Sequence, residues 1–223
     1  MSEPLLPAEV RDLIRSRYEQ VALIGSGRVG ASLLLALRRC GRVALAVGWD
    51  RDRPRAEGVA QKGAIDRALE TPFAAVAGAD LVILDSAPGE ALAAVEAIAG
   101  ALSRTALLLE VGSARGALLG PIERILPIPG RYVGVTPILP AGAADATADS
   151  DLFRDRLVLL SPAARTIPEA IEASSAIFEA VGARAAQIDP DELDALLALP
   201  HEEISERARR ASVRLAPPRR PLR

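Results

Sequence analysis

The chain has 223 residues, half of them hydrophobic, and a formal net charge of −2, which allows a sizeable core and leaves no electrostatic footprint for nucleic acid. One cysteine and one histidine exclude an internal disulfide and the ordinary zinc sites, so no metal is expected, and no apolar run reaches the ~18 residues of a membrane span. The opening residues carry no cationic-then-apolar leader, so the protein is expected to be soluble and cytoplasmic.

Residues 7–17 read as a short helix leading into the first strand. The apolar run Val21, Ala22, Leu23, Ile24 then feeds directly into Gly25-Ser26-Gly27-Arg28-Val29-Gly30, a G-x-G-x-x-G turn. A helical pattern follows through Ala31, Leu33, Leu34 and Leu37, and closes at Arg38, Arg39 and Gly41. Cys40, near its end, reads as a helix-packing residue. A second apolar strand over residues 42–49 ends at Asp50. Strand, glycine turn, helix, strand and acid in this order form a dinucleotide-binding fingerprint.

Each glycine has a physical task in that reading. Gly25 permits the sharp exit from the strand, Gly27 lets a pyrophosphate approach bare backbone, and Gly30 lets the helix pack close to the sheet. The amides at the helix start, with the helix dipole, favour the anion. The cofactor-binding set is therefore Gly25, Ser26, Gly27, Arg28, Val29 and Gly30, with Asp50 placed for a ribose 2′-OH. The plainer alternative is a glycine turn that only packs a helix on a sheet. Asp50 repels a 2′-phosphate and favours NAD. Arg51 and Arg53 follow at once and keep NADP open, unless they are solvated charges at a helix start capped by Asp50 or Asp52.

Strands and helices then alternate. A polar helix is expected over 54–63, a buried strand over 79–85, an alanine-rich helix over 90–102, a strand over 105–111 and a helix over 114–125. A strand over 131–135 leads into a loop rich in Ala, Gly, Pro and Asp to about Ser150. A strand over 157–160, a helix over 167–181 and a last strand over 183–188 follow. Continuous apolar strands separated by helices predict an α/β protein, a doubly wound, mostly parallel Rossmann sheet with helices on both faces and a short C-terminal helix. Asp189 and Pro190 start that final helix, which is expected to run to about Arg214 with Pro200 bending it. Its stripe of Leu193, Leu196, Leu197, Ile204 and Val213 docks either on its own sheet or on a second copy. The organisation expected is an NAD(P)-binding Rossmann domain over residues 1–188, then a C-terminal helix and a disordered basic tail over 189–223. Asp85 and Glu110 fall at strand carboxyl ends, where open α/β sheets bind ligands. They are either site groups or structural ones, Asp85 bonding the turn that follows it. No G-x-x-x-x-G-K-[ST] motif occurs, which argues against a nucleotide triphosphatase.

Further segments share an order and spacing with a known family. They are Gly48-Trp49-Asp50-Arg51, the strand from Ala79 to Leu84 with Pro88 beyond it, Glu110-Val111-Gly112-Ser113-Ala114-Arg115, residues 151–162 and residues 181–194. Over about residues 20–195 the chain resembles the prephenate/arogenate dehydrogenase family. That family oxidises prephenate or arogenate with NAD(P), with loss of carbon dioxide, on the route to tyrosine. The resemblance implies an oxidoreductase with a small-molecule substrate. It places Pro88 in the cofactor site and Ser113 beside nicotinamide and substrate, where a hydroxyl can bond a carbinol oxygen; Ser113 equally suits a helix cap.

The chain departs from the family pattern in two places. The family carries His-Pro after its sixth strand, whereas this chain has Thr136-Pro137. Threonine does not titrate near neutral pH and cannot act as the base, although it can bond a substrate hydroxyl. The family also continues into a long helical domain that forms the dimer and much of the substrate pocket, while this chain ends soon after Asp194. A homodimer is a possible way to complete the cleft. His201 falls near a Ser-His-x-Pro-His motif of the family and is a candidate catalytic residue, or a surface or packing histidine. Two alternatives stand beside the dehydrogenase reading: a non-catalytic NAD(P)-binding module, acting as a sensor or assembly subunit, and a different NAD(P)-dependent reductase.

Overall fold

The computed structural model describes residues 15–87, 89–111, 116–140, 147–200, 203–204 and 206–207. Its elements are β1 (Tyr18–Ile24), α1 (Arg28–Arg39), β2 (Val43–Trp49), α2 (Arg53–Gln61), β3 (Arg67–Ala68), α3 (Pro72–Val76), β4 (Leu81–Leu84), α4 (Ala91–Ala99) and β5 (Leu107–Glu110). They continue with α5 (Gly116–Ile125), a single 3₁₀ turn (Pro129–Arg131), β6 (Tyr132–Pro137), β7 (Leu157–Pro162), α6 (Pro168–Ala180), β8 (Arg184–Gln187) and α7 (Pro190–Leu197).

The strands form one sheet in the order β3-β2-β1-β4-β5-β6-β7-β8. Every neighbouring pair is parallel except β6 and β7. This is the doubly wound, mostly parallel Rossmann arrangement expected from the alternating pattern. The strands read as unbroken apolar runs because both faces are covered. Side chains alternate between two cores, as the two-residue period of a strand requires. Val21, Leu23, Leu81 and Ile83 face a core shared with Leu33, Leu34 and Leu37 of α1 and Phe178 of α6. Ala22, Ile24, Val82 and Leu84 face the other, shared with Val95 and Ile98 of α4 and Ile122 of α5.

Some elements differ from expectation. β3 has two residues and α3 five, too short for a periodic signal. α3 is set by its cap: the Thr71 hydroxyl accepts from the Ala74 amide at 3.1 Å. Of the helix expected over 7–17, only residues 15–17 are described, and they are not helical. Cys40 is exposed and is the C-cap of α1, its thiol donating to the Ala180 carbonyl at 3.3 Å, so it is not a packing residue inside the helix.

α7 stops at Leu197 instead of continuing bent through Pro200; helical backbone resumes at 203–204 and 206–207. Proline lacks the amide that a continuing helix needs and disfavours helical geometry in the residue before it. Leu193 and Leu196 pack on Leu157, Leu159, Ala186 and Ile188, joined by Leu197 and Ile204, so this part of the stripe docks on its own sheet. Val213 and the basic tail lie outside the described residues.

Candidate active site

Reversal of strand order between β1 and β4 opens a crevice at the carboxyl edge of the sheet. Gly25 leaves β1 with φ +84°, its amide donating to the Trp49 carbonyl at 2.8 Å. A Cβ there would lie 2.1 Å from the Asp85 carbonyl oxygen, so only glycine fits. A Cβ on Gly30 would lie 2.7 Å from Leu23 Cδ1, which is the close helix-to-sheet packing expected of the third glycine.

Gly27 serves a different neighbour. It is the N-cap of α1 and supplies no side-chain cap. A Cβ on it would come within 2.2 Å of the Asp85 carboxyl. The bare backbone expected to admit a pyrophosphate thus lies against a carboxyl group of this chain. Asp85 follows β4, is 8% exposed, and its Oδ2 accepts from the Gly30 amide at 2.6 Å. This bond runs to the first turn of α1, not to the turn after Asp85. Burial raises the Asp85 carboxyl above the ordinary aspartate range; the Gly30 and Val29 amides and Arg55 pull it down, and Asp50 adds to the upward push.

Beside this turn lies a cleft of about 630 Å³. One side is formed by Gly25, Gly27, Trp49, Asp50, Arg55 and Asp85, the other by Glu90, Ala93, Ala94 and Ala97 at and along α4. Asp50 ties the turn to β2: Oδ2 accepts from the Ser26 amide at 2.6 Å and Oδ1 from the Asp52 amide at 2.8 Å. An ionised carboxylate has about four acceptor positions, so two remain beyond these bonds. Ser86, in the cleft wall, has a buried hydroxyl with no hydrogen-bond partner among the described residues.

The remaining cofactor-site candidates have local tasks. Arg28 donates through Nε to the Thr147 carbonyl at 3.0 Å, and Val29 packs half-buried on the core. Arg51 pairs with Glu90 at 3.1 Å, spanning from the end of β2 to the start of α4. Arg53 pairs with Glu57 at 2.8 Å and also with Glu70. Asp52 is the N-cap of α2, with no side-chain bond. The α4 wall and Arg55 were not singled out from the sequence. The only local signal for the wall is the run of small residues at 93, 94 and 97 in the alanine-rich helix.

Farther along the same edge, Glu110 ends β5 fully buried, opposite Gly134 of β6. Thr136 is half-buried near the end of β6, opposite Leu159 of β7. The Tyr132 phenol is held well above its ordinary range, first by burial and then by Glu110 and Glu123. The candidates Ser113, Pro88 and His201 lie outside the described residues. Among the described residues no group of three or more His, Cys, Asp or Glu side chains is placed to hold a metal, and no helix is long and apolar enough to cross a membrane.

A glycine turn, an acid at the end of β2 and a cleft at the switch point are the features of a nucleotide-binding domain. The family model for the prephenate dehydrogenase nucleotide-binding domain matches residues 33–187. The chain belongs to this family. It is 23% identical over 178 residues to the prephenate dehydrogenase of Bacillus subtilis (strain 168), covering 79% of this chain and 48% of that protein. It therefore spans about half the length of that curated relative. The crystal structure of prephenate dehydrogenase from A. aeolicus, in complex with hydroxyphenyl propionate and NAD+, superposes with a TM-score of 0.71 at 25% identity, over 80% of this chain and 62% of that one. Synechocystis arogenate dehydrogenase shares the fold with a TM-score of 0.68 at 21% identity, over 86% of this chain and 74% of that one.

Proposed function

We propose that the chain is the nucleotide-binding part of an NAD(P)-dependent oxidoreductase that carries out oxidative decarboxylation of prephenate or arogenate in tyrosine biosynthesis. The observation that carries this reading is the convergence of Gly25, Asp50 and the α4 wall on one cleft at the switch point, in a chain of the prephenate dehydrogenase family. The cleft volume lies within the usual range of small-molecule sites. Asp50 retains acceptor capacity for ribose hydroxyls, which fits the adenosine side of a dinucleotide. Its charge favours NAD over NADP, and the two arginines that follow it are already paired with glutamates. The diphosphate side does not fit while the Asp85 carboxyl holds the Gly30 amide.

For the chemistry, Ser113 and Thr136 are proposed as hydrogen-bonding groups toward a substrate hydroxyl. Neither titrates near neutral pH, so His201 is the only imidazole available in the sequence to take a proton. Absence of a placed general base typically costs ~10²–10⁴-fold in rate. Homodimerisation, in which a second copy completes the substrate pocket, and a cytoplasmic location belong to the same proposal; light scattering and cell fractionation test them.

The direct test follows formation of reduced nicotinamide nucleotide by the purified chain with prephenate or arogenate and each oxidised cofactor. Turnover with one such pair is the expected result. Saturable nucleotide binding without turnover moves the conclusion to a second reading, a non-catalytic dinucleotide-binding module, which Thr136 in place of an imidazole favours.

A further inference from the structure

We infer that Asp85 sets the dinucleotide affinity of this chain: its carboxyl group rests on the amides a diphosphate needs, and a dinucleotide seats only when that group swings away. The inference rests on the nucleotide-binding reading above. Two independent contacts carry it. Asp85 Oδ2 accepts from the Gly30 amide at 2.6 Å. The carboxyl atoms also fill the space over Gly27, within 2.2–2.3 Å of where a Cβ would stand. The start of α1 therefore has an occupant supplied by the same polypeptide.

A helix start offers few free amides, and a carboxylate and a diphosphate seek the same ones. Seating both would leave one anion without donors, beside a like charge in a sheltered crevice. Asp50 and Glu90 line the same cleft as Asp85, so an incoming dianion meets three acidic groups, of which Glu90 is paired with Arg51. An internal competitor lowers apparent affinity by the fraction of time it leaves the seat clear. Arg55 of α2 lines the cleft as well and is the cation nearest in effect to Asp85, which gives a displaced carboxylate a destination. Burial disfavours the ionised group where it stands, so movement toward water and Arg55 relieves part of that penalty. A ligand that ends at the ribose never reaches the contested amides.

Calorimetric titration of the full chain with NAD+ and, separately, adenosine tests this in wild type, Asp85→Ala and Asp85→Asn. Asp85→Ala should bind NAD+ at least about tenfold more tightly, with adenosine affinity held within about twofold, because only the diphosphate loses a competitor. Asp85→Asn keeps the shape and one acceptor but removes the charge, and should fall between the two. Thermal melts followed by circular dichroism establish that each variant is folded, and the Asn variant carries the comparison if the Ala variant is not. Wild-type NAD+ binding that is unchanged or weaker in both variants overturns the role of Asp85 and leaves the nucleotide reading standing. An equal gain for adenosine also overturns it. No saturable signal for either ligand in any of the three proteins overturns both.

Discussion

The two sides of the carboxyl edge differ in how they are built. On the β1–β2–β4 side, backbone and strand-end residues make the site: a positive-φ glycine, an acid fixed by two amides, and a helix wall of alanines. On the β5–β6 side, the described groups are a buried glutamate and a threonine, and the other proposed chemical groups come from segments outside the described residues. A nucleotide cleft can be completed within one βαβ unit and its neighbouring strand. The substrate groups proposed here belong to several separate segments, and the described residues carry the nucleotide cleft more fully than the substrate site.

The sharpest way to break this contrast is at Gly25. With φ at +84° and a backbone oxygen 2.1 Å from any Cβ, Gly25→Val should destabilise the fold by about 3 kcal/mol or more in denaturant unfolding. Unchanged stability would mean that the turn is not held as described. Next in size, Gly27→Ala should cost about 2 kcal/mol alone and at least about 1 kcal/mol less in an Asp85→Ala background, because the clash is with that side chain. Strict additivity in the double-mutant cycle would remove the contact between them.

Asp85 also gives a pH signature. Burial raises its folded pKa above the ordinary aspartate range, so its stabilising contribution is present below the unfolded value and is lost as pH rises through the folded one. Wild type should therefore lose stability relative to Asp85→Asn as pH rises from about 4, whereas a difference that is flat with pH would contradict the buried placement. Arg51→Ala should have the smallest effect, within about 0.5 kcal/mol, since both partners of its ion pair with Glu90 are largely exposed. A loss of several times that size would give the bridge from β2 to α4 a structural weight that its exposure does not suggest.

The mostly parallel sheet and its covering helices are legible in the sequence, because the strands are continuous apolar runs and most of the helices between them are long enough to show their period. The reach of α7 differs at Pro200: the sequence predicts a bend there, and the helix stops before it, at Leu197. β3 and α3 carry too few residues to leave a pattern. At the site, Gly25 and Asp50 were readable as a motif, because their spacing within one unit is itself the signal. The placement of Asp85 was not, since it meets Gly30 across 55 residues. Its neighbourhood follows only once β4 is known to lie beside β1. The α4 wall was hidden for the same reason, as alanines give no sign of which side of a helix faces a cleft.

The most direct measurement is a crystal structure of the chain with NAD+ bound. The adenosine ribose should sit on the Asp50 carboxylate with the adenine toward Ala93, Ala94 and Ala97, and the Asp85 carboxyl should have left the Gly30 amide to the diphosphate. A nucleotide bound elsewhere on the chain, or a diphosphate seated at the glycine turn with Asp85 still on Gly30, would contradict this.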